Sequence, residues 1–383
     1  MRILHTSDWH LGRAFHGVGM LGHQAAFVDH LLEVVEQEAV DLVVVAGDVY
    51  DRGLPPSDAV ALADEALGRL AASRARVVVT SGNHDSARRL GFGAALIDHA
   101  GVHLRTDAAG IGTPVLLDDA DGPVAVYGLP YLDPDLTRRA WDLPVRSHHA
   151  ALAAAMDRVR ADLATRPGTR SVVLAHAFVA GGESSDSERD IAVGGISIVP
   201  TTVFDGIDYT ALGHLHGRQV LAESVRYSGS PLAYSFSEAT HTKGCWLVDL
   251  GVGGVRTQFV PSPVPRPLAR LSGTLEELLA SDAHTVHEDS WLQVTLLDDV
   301  RPLQAMDRLR TRFPHTLALS YRPASTPGSV TDRGVRGRTD REVALDFVAA
   351  VRGAPASAPE AALLGEAVDA CCHDADADVL VSG

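Results

Sequence analysis

Short apolar runs alternate along this chain with longer stretches in which apolar residues recur every three or four positions. Residues 2–6 predict a strand, and 23–39 a helix, because Phe27, Leu31, Val34 and Val35 fall on one helical face. Residues 41–46 are almost wholly apolar, the pattern of a strand covered on both sides. The alternation repeats as a helix over 57–72 and a strand over 76–80, then as a helix over 147–164 and a strand over 171–175. Strands then dominate, at 209–212, 225–228, 244–250 and 255–260. This order predicts a layered α/β sandwich, with sheets packed between helices.

Four prolines within 261–267 remove backbone donors and stiffen the chain, so a first domain over 1–262 is expected to end there. Residues 268–322 then read as a small α+β domain, with a strand over 291–297, a helix over 301–313 and a strand over 316–321. Pro, Gly, Ser and Thr dominate 323–340, which reads as a linker. Residues 341–383 carry two C-terminal helices and a tail. Val343, Phe347, Val348 and Val351 form an apolar stripe on the first helix, and Leu363, Leu364, Ala367 and Val368 form one on the second. Such stripes need cover.

Composition narrows the class. The chain of 383 residues is 46% hydrophobic and 21% charged, the balance of a globular protein rather than a disordered one. Its formal charge of −16 argues against gripping nucleic acid through a global positive field. Lys243 is the only lysine, so every other cationic side chain is an arginine. Three cysteines, with Cys371 and Cys372 adjacent, give no disulfide framework and suit a reducing compartment. The chain reaches Arg2 and Asp8 before any apolar stretch of signal length, and it has no apolar run of about 18 residues. A cytoplasmic protein that does not span a membrane is expected.

The chemistry gathers in five segments that each follow a predicted strand: Asp8-Trp9-His10, Gly47-Asp48-Val49-Tyr50-Asp51, Gly82-Asn83-His84-Asp85, His176, and Gly213-His214-Leu215-His216. In open α/β sheets, ligands collect beyond the carboxyl ends of strands. The i, i+2 spacing of Asp8/His10 and of His214/His216 sends both members of each pair to one side of an extended chain. Carboxylates, an amide oxygen and imidazoles, without a thiolate, suit Mn²⁺, Fe²⁺ or Zn²⁺. Two such ions bridged by a carboxylate can hold a phosphoryl oxygen and support displacement at phosphorus. Phosphoester hydrolysis is the predicted chemistry. His5, His16, His23, His30, His99 and His103 lack such partners and read as supporting or ordinary residues.

These segments resemble the calcineurin-like metallophosphoesterase superfamily. More closely, His5-Thr6-Ser7-Asp8-Trp9-His10-Leu11-Gly12, Gly82-Asn83-His84-Asp85-Ser86, Arg189-Asp190-Ile191, Ala211-Leu212-Gly213-His214-Leu215-His216 and Tyr227-Ser228-Gly229-Ser230-Pro231 resemble the SbcD family of bacterial DNA repair nuclease subunits. The resemblance implies a metallophosphoesterase sandwich with a small DNA-capping domain and C-terminal helices. It implies one ion held by Asp8, His10, Asp48 and His216 and a second by Asp48, Asn83, His176 and His214, with Asp48 bridging and Mn²⁺ preferred. His84 matches the histidine that approaches the scissile phosphate without binding metal, and Asp51 the acid that orients it in related phosphatases. Arg13 and His16 lie in a loop that could reach the DNA backbone, and Arg308 and Arg312 are on the capping helix. The family acts as a dimer with the SMC-like ATPase SbcC, cutting duplex ends from the 3′ side and opening single-stranded or hairpin DNA. Phosphoprotein phosphatases and cyclic-nucleotide phosphodiesterases share the metal chemistry and form the alternative class.

Overall fold

The computed structural model describes residues 1–188, 199–323 and 338–375. The Arg189-Asp190-Ile191 motif and residues 324–337 of the expected linker lie outside the described residues. Two compact units are present, one comprising Met1–Leu296 with Leu303–Ser320, the other Leu297–Pro302 with Tyr321–Gly383.

The first unit is built on two six-stranded sheets. One has the strand order Gly254–Pro261, Gly244–Gly251, Arg2–Thr6, Leu42–Ala46, Arg76–Thr80, Val102–Arg105. The other runs Gln219–Ala222, Val225–Tyr227, Tyr209–Gly213, Arg170–His176, Gly122–Leu129, Val115–Asp119. The central strands pair in parallel, as βαβ crossovers require. Ile3, Val44, Val78, Val126, Leu174, Tyr209 and Trp246 fill the space between the sheets. His5 crosses the same layer, with its ring nitrogens 2.8 Å from the Tyr209 hydroxyl and 3.2 Å from the Leu212 carbonyl.

Helices cover both outer faces. Leu21–Gln37 buries Phe27, Val28, Leu31, Val34 and Val35, and it shares a core with Ser57–Ala72 against the first sheet. His148–Leu163 does the same for the second sheet through Leu152, Ala155, Met156 and Val159. The mixed α/β sandwich expected from the sequence is therefore present. The strands Val102–Arg105, Val115–Asp119, Gly122–Leu129, Gln219–Ala222 and Leu268–Gly273 and the short pair Ala14–Phe15 and Val18–Gly19 lie outside the elements that the sequence pattern predicts. Ala305–Arg312 begins later than the predicted helix, because Gln304 takes φ 50°, a left-handed conformation that a helix cannot continue through.

The same unit carries a three-stranded sheet in the order Leu268–Gly273, Trp291–Leu296, Thr316–Tyr321. Trp291 packs 5.5 Å from the Phe15 ring, within a cluster that includes Met20, Leu232, Tyr234 and Phe236. This sheet is thereby anchored to the segment that follows Asp8 and His10 and to the one that follows His214 and His216.

In the second unit, helices Asp340–Arg352 and Ala358–Ala375 form a hairpin. Thr339 and Glu342 make a capping box at the first helix, and Arg352 pairs with Glu360 at 2.8 Å. Phe347, Val351 and Leu363 are 66%, 71% and 66% exposed, so part of each predicted apolar stripe is uncovered among the described residues. Among the described residues, no helix is long and apolar enough to cross a membrane.

Candidate metal centre

All seven expected ligands stand at or just past the carboxyl ends of strands. Asp8 and His10 follow Arg2–Thr6, Asp48 follows Leu42–Ala46, and Asn83 follows Arg76–Thr80; His176 ends its strand, and His214 and His216 follow Tyr209–Gly213. Parallel register pairs Ala46 with Thr80 and His176 with Gly213, which brings these ends level. Backbone bonds from Asp8 N to Gly47 O and from His10 N to Asp48 O, both 3.0 Å, lock the first two loops together.

Close approach there demands glycine. Gly47 takes φ 84°, and a Cβ on it would overlap the His176 ring; a Cβ on Gly82 would overlap the Asp48 carboxylate. Four of the expected ligands themselves adopt left-handed conformations, with φ of 53° at Asp8, 46° at His10, 51° at Asp48 and 106° at His214. Each such residue costs on the order of 1–3 kcal/mol, which the surrounding structure must offset. Strain is concentrated where side chains must be aimed.

The side chains converge. Asp48 Oδ2 lies 3.4 Å from His176 Nε2 and 3.6 Å from His10 Nε2. Asn83 Oδ1 is 2.9 Å from His176 Nε2 and 3.3 Å from His214 Nδ1, and His10 Nε2 is 3.0 Å from His216 Nε2. Ligand atoms of Asp8, His10 and His216, of Asp8, Asp48 and His176, and of His10, Asp48 and His84 lie within 4.8 Å of one another in each group. His176 Nδ1 is 2.9 Å from the Ala46 carbonyl, which can only accept, so Nδ1 carries the proton and Nε2 faces Asp48.

The electrostatics are those of a site that needs cations. Burial pushes the Asp8 carboxyl up to about 6, against the pull of His176 and His216. Burial would raise Asp48 too, but His176 holds it well below the carboxylate range; His176 itself rises to about 9 because Asp48 outweighs its desolvation. His10 is lowered, and His214 falls to about 3, by burial. Among the described residues, His10 Nδ1 is buried without a hydrogen-bond partner. Two buried carboxylates and buried imidazoles, with the half-buried amide oxygen of Asn83, fit a pair of divalent cations, which would take the place of protons crowded among these groups.

Residue 51 meets His84 through its main chain: His84 Nδ1 lies 2.8 Å from the Asp51 carbonyl. The Asp51 carboxylate faces His10 Nδ1 and Arg13 Nε, each at 3.7 Å. Arg13 also donates to the Ser187 carbonyl at 2.8 Å and lies 5.1 Å from the Tyr234 ring, so it is part of the wall of the site. His16 is exposed and stands against Phe15 and Phe236 at 5.0 Å. Arg312 donates to the carbonyls of Leu278 and Leu279 and to Glu288, which ties it to the segment between the strands Leu268–Gly273 and Trp291–Leu296; Arg308 is exposed.

Some supporting residues went unassigned from sequence. Asp85 accepts from Gly82 N, Val49 N and Tyr50 N at 2.9, 3.1 and 2.9 Å, clamping the Asn83 turn to the Asp48 loop. Burial, with Asp48 nearby, pushes its carboxyl up to about 7. Gln24 donates to the His10 carbonyl at 2.8 Å, and Tyr234 to the Trp9 carbonyl at 2.6 Å. Asp85 sits within the Gly82-Asn83-His84-Asp85 signature, whereas Gln24 and Tyr234 have no local signal.

Residues 1–218 match the calcineurin-like phosphoesterase family model, and the chain belongs to that family. Residues 264–352 match a second model, SbcD_C, described as the type 5 capsule protein repressor C-terminal domain. The two matches together are those of an SbcD-type metallophosphoesterase, a metal-dependent hydrolase. Among solved structures, the chain is similar to the Thermus thermophilus protein TT1561, at 14% identity and TM-score 0.39 over 67% of this chain and 98% of that one. It is also similar to a dimetal phosphatase from Danio rerio, at 13% identity and TM-score 0.43 over 69% and 99% of the two chains. A third is GAP50, the anchor in the inner membrane complex of Plasmodium, at 13% identity and TM-score 0.38 over 85% and 98%.

Proposed function

We propose that this protein is a two-metal DNA nuclease of the SbcD type, a 3′-to-5′ exonuclease on duplex ends and an endonuclease on single strands and hairpins. The observation that carries the reading is the convergence of Asp8, His10, Asp48, Asn83, His176, His214 and His216 at one buried point, in a chain that continues into an SbcD_C match. Asp8, His10, Asp48 and His216 would hold one ion; Asp48, Asn83, His176 and His214 the other. A bound pair of Mn²⁺ ions supplies charge stabilisation at phosphorus and a nucleophile of lowered pKa. The chain's own groups do the rest: Asp48 spans the two ligand sets, and His84 stands ready to protonate the leaving 3′ oxygen. The sheet containing Trp291 serves as the cap that admits DNA, with Arg308 an exposed cation on its helix.

The protein works in the cytoplasm as a homodimer with the SbcC ATPase. Its acidic balance of −16 supports a division of labour in which the partner holds most of the DNA. The deciding experiment incubates linear duplex, hairpin DNA, a generic phosphodiester and a phosphomonoester with Mn²⁺ and with EDTA. Cleavage of DNA and diester in Mn²⁺, stopped by EDTA, is expected; turnover of the monoester alone would place the protein among the phosphatases.

The C-terminal hairpin, with Phe347, Val351 and Leu363 uncovered, is the docking element for the coiled-coil root of SbcC. Truncation after Arg338 is expected to abolish co-purification with SbcC while leaving Mn²⁺-dependent cleavage of single-stranded DNA. Stoichiometric co-purification of the truncated chain would assign docking elsewhere.

A further inference from the structure

The only lysine in an arginine-rich chain lies behind the metal centre. Lys243 is buried, and its ammonium group meets three acceptors: the Glu238 carboxylate, the His216 carbonyl at 2.7 Å and Ser230 Oγ at 3.0 Å. Three diverging N–H bonds from one nitrogen match three acceptors gathered around a point. A planar guanidinium, with its donors spread along a fork, does not.

What Lys243 supports leads directly to a ligand. Glu238 is itself buried, and besides Lys243 it meets Ser187 Oγ at 2.5 Å. As a carboxylate paired with an ammonium, Glu238 accepts, so Ser187 gives it the one hydroxyl proton. The Ser187 oxygen is then left to accept from His216 Nδ1, 2.6 Å away. His216 therefore carries its proton on Nδ1 and turns the Nε2 lone pair toward Asp8 and His10, as a metal ligand must. The backbone of the same residue is gripped at both ends, its N–H by Glu188 at 2.7 Å and its carbonyl by Lys243.

We propose that Lys243, Glu238 and Ser187 form a positioning relay that fixes the ring orientation and tautomer of His216, and so sets the affinity of one of the two metal sites. The relay rests on the two-ion reading above. It touches His216 and not the ligands Asn83, His176 and His214, so its loss must be felt at one ion rather than at both.

Mn²⁺ titration by calorimetry, with no substrate present, tests this on the full chain. Ser187→Ala removes the relay hydroxyl and leaves the Lys243–Glu238 pair in place. It is expected to weaken one Mn²⁺ site by about 10–100-fold, the usual effect of removing a group that orients a ligand, while the other stays close to wild type. Ser187→Thr keeps the hydroxyl and is expected to restore the site. Lys243→Met should produce the same one-site loss; if it does not fold, as the melting curve of the metal-free protein would reveal, the Ser187 pair decides. Wild-type affinity at both sites in Ser187→Ala, or equal weakening of both, overturns the relay. A wild-type chain that binds fewer than two ions overturns the two-ion reading instead.

Discussion

Asp48→Ala is expected to strip both cations at once and to reduce phosphodiester hydrolysis by at least ~10³-fold. Asp48 follows the buried strand Leu42–Ala46 and has its carboxylate within 3.6 Å of both His10 and His176, imidazoles from the two expected ligand sets. Each site would lose a negative ligand, and the mutual repulsion of two dications would go unscreened. Metal at phosphorus supplies several kcal/mol of charge stabilisation, and each ~1.4 kcal/mol is tenfold in rate, which gives the size of the loss. Asp48 Oδ1 also accepts from His84 N at 2.8 Å, so alanine disturbs the loop as well as the charge. Asp48→Asn keeps that acceptor and separates the two effects: both variants should lose metal, while the asparagine form keeps the wild-type fold by circular dichroism. Metal analysis that finds two ions bound to either variant at wild-type affinity would rule out the bridging role.

The candidate ligand segments were legible because the signal for each is short-range. Arg2–Thr6, Leu42–Ala46, Arg76–Thr80 and Tyr209–Gly213 are compact runs with apolar centres, and a charged or imidazole side chain a few residues beyond each sits where parallel sheets place their sites. The helix Ser57–Ala72 and strand Thr316–Tyr321 were legible for the same reason, their periodicity being complete within the segment. The strand Leu268–Gly273 was hidden because its alternation, with Ala269 and Leu271 inward, spans too few residues to separate from the proline-rich stretch before it. Ser187 and Glu238 were hidden for another reason. They reach His216 across turns and 22 or more residues of chain, and a serine or glutamate that supports a ligand through tertiary contact has no local pattern. The pairing of residue 51 with His84 was expected from the resemblance through the Asp51 carboxylate; that it runs through the main-chain carbonyl was not legible, because a carbonyl has no residue identity.

That carbonyl also decides what His84 can do. Because the Asp51 oxygen can only accept, His84 Nδ1 must hold a proton, and Nε2 is left facing Asp48 Oδ2 at 3.9 Å. The ring is nearly perpendicular to His10, with centroids 4.6 Å apart, so packing as well as hydrogen bonding limits its rotation. In its imidazolium form, with a second proton on Nε2, this ring would give that proton to the leaving oxygen and return to the neutral Nδ1–H tautomer, without taking a place among the ligands. His84→Gln retains a polar side chain of similar reach but cannot transfer that proton. Turnover is expected to fall by ~10²-fold or more, the usual size of a lost general acid or charge stabiliser, with Mn²⁺ content and DNA affinity close to wild type. Inductively coupled plasma analysis, DNA binding in Ca²⁺ and single-turnover cleavage on the same preparation separate these quantities. A fall in metal content parallel to the fall in rate would make His84 a ligand with His10 and Asp48, whose binding atoms lie within 4.8 Å of its own.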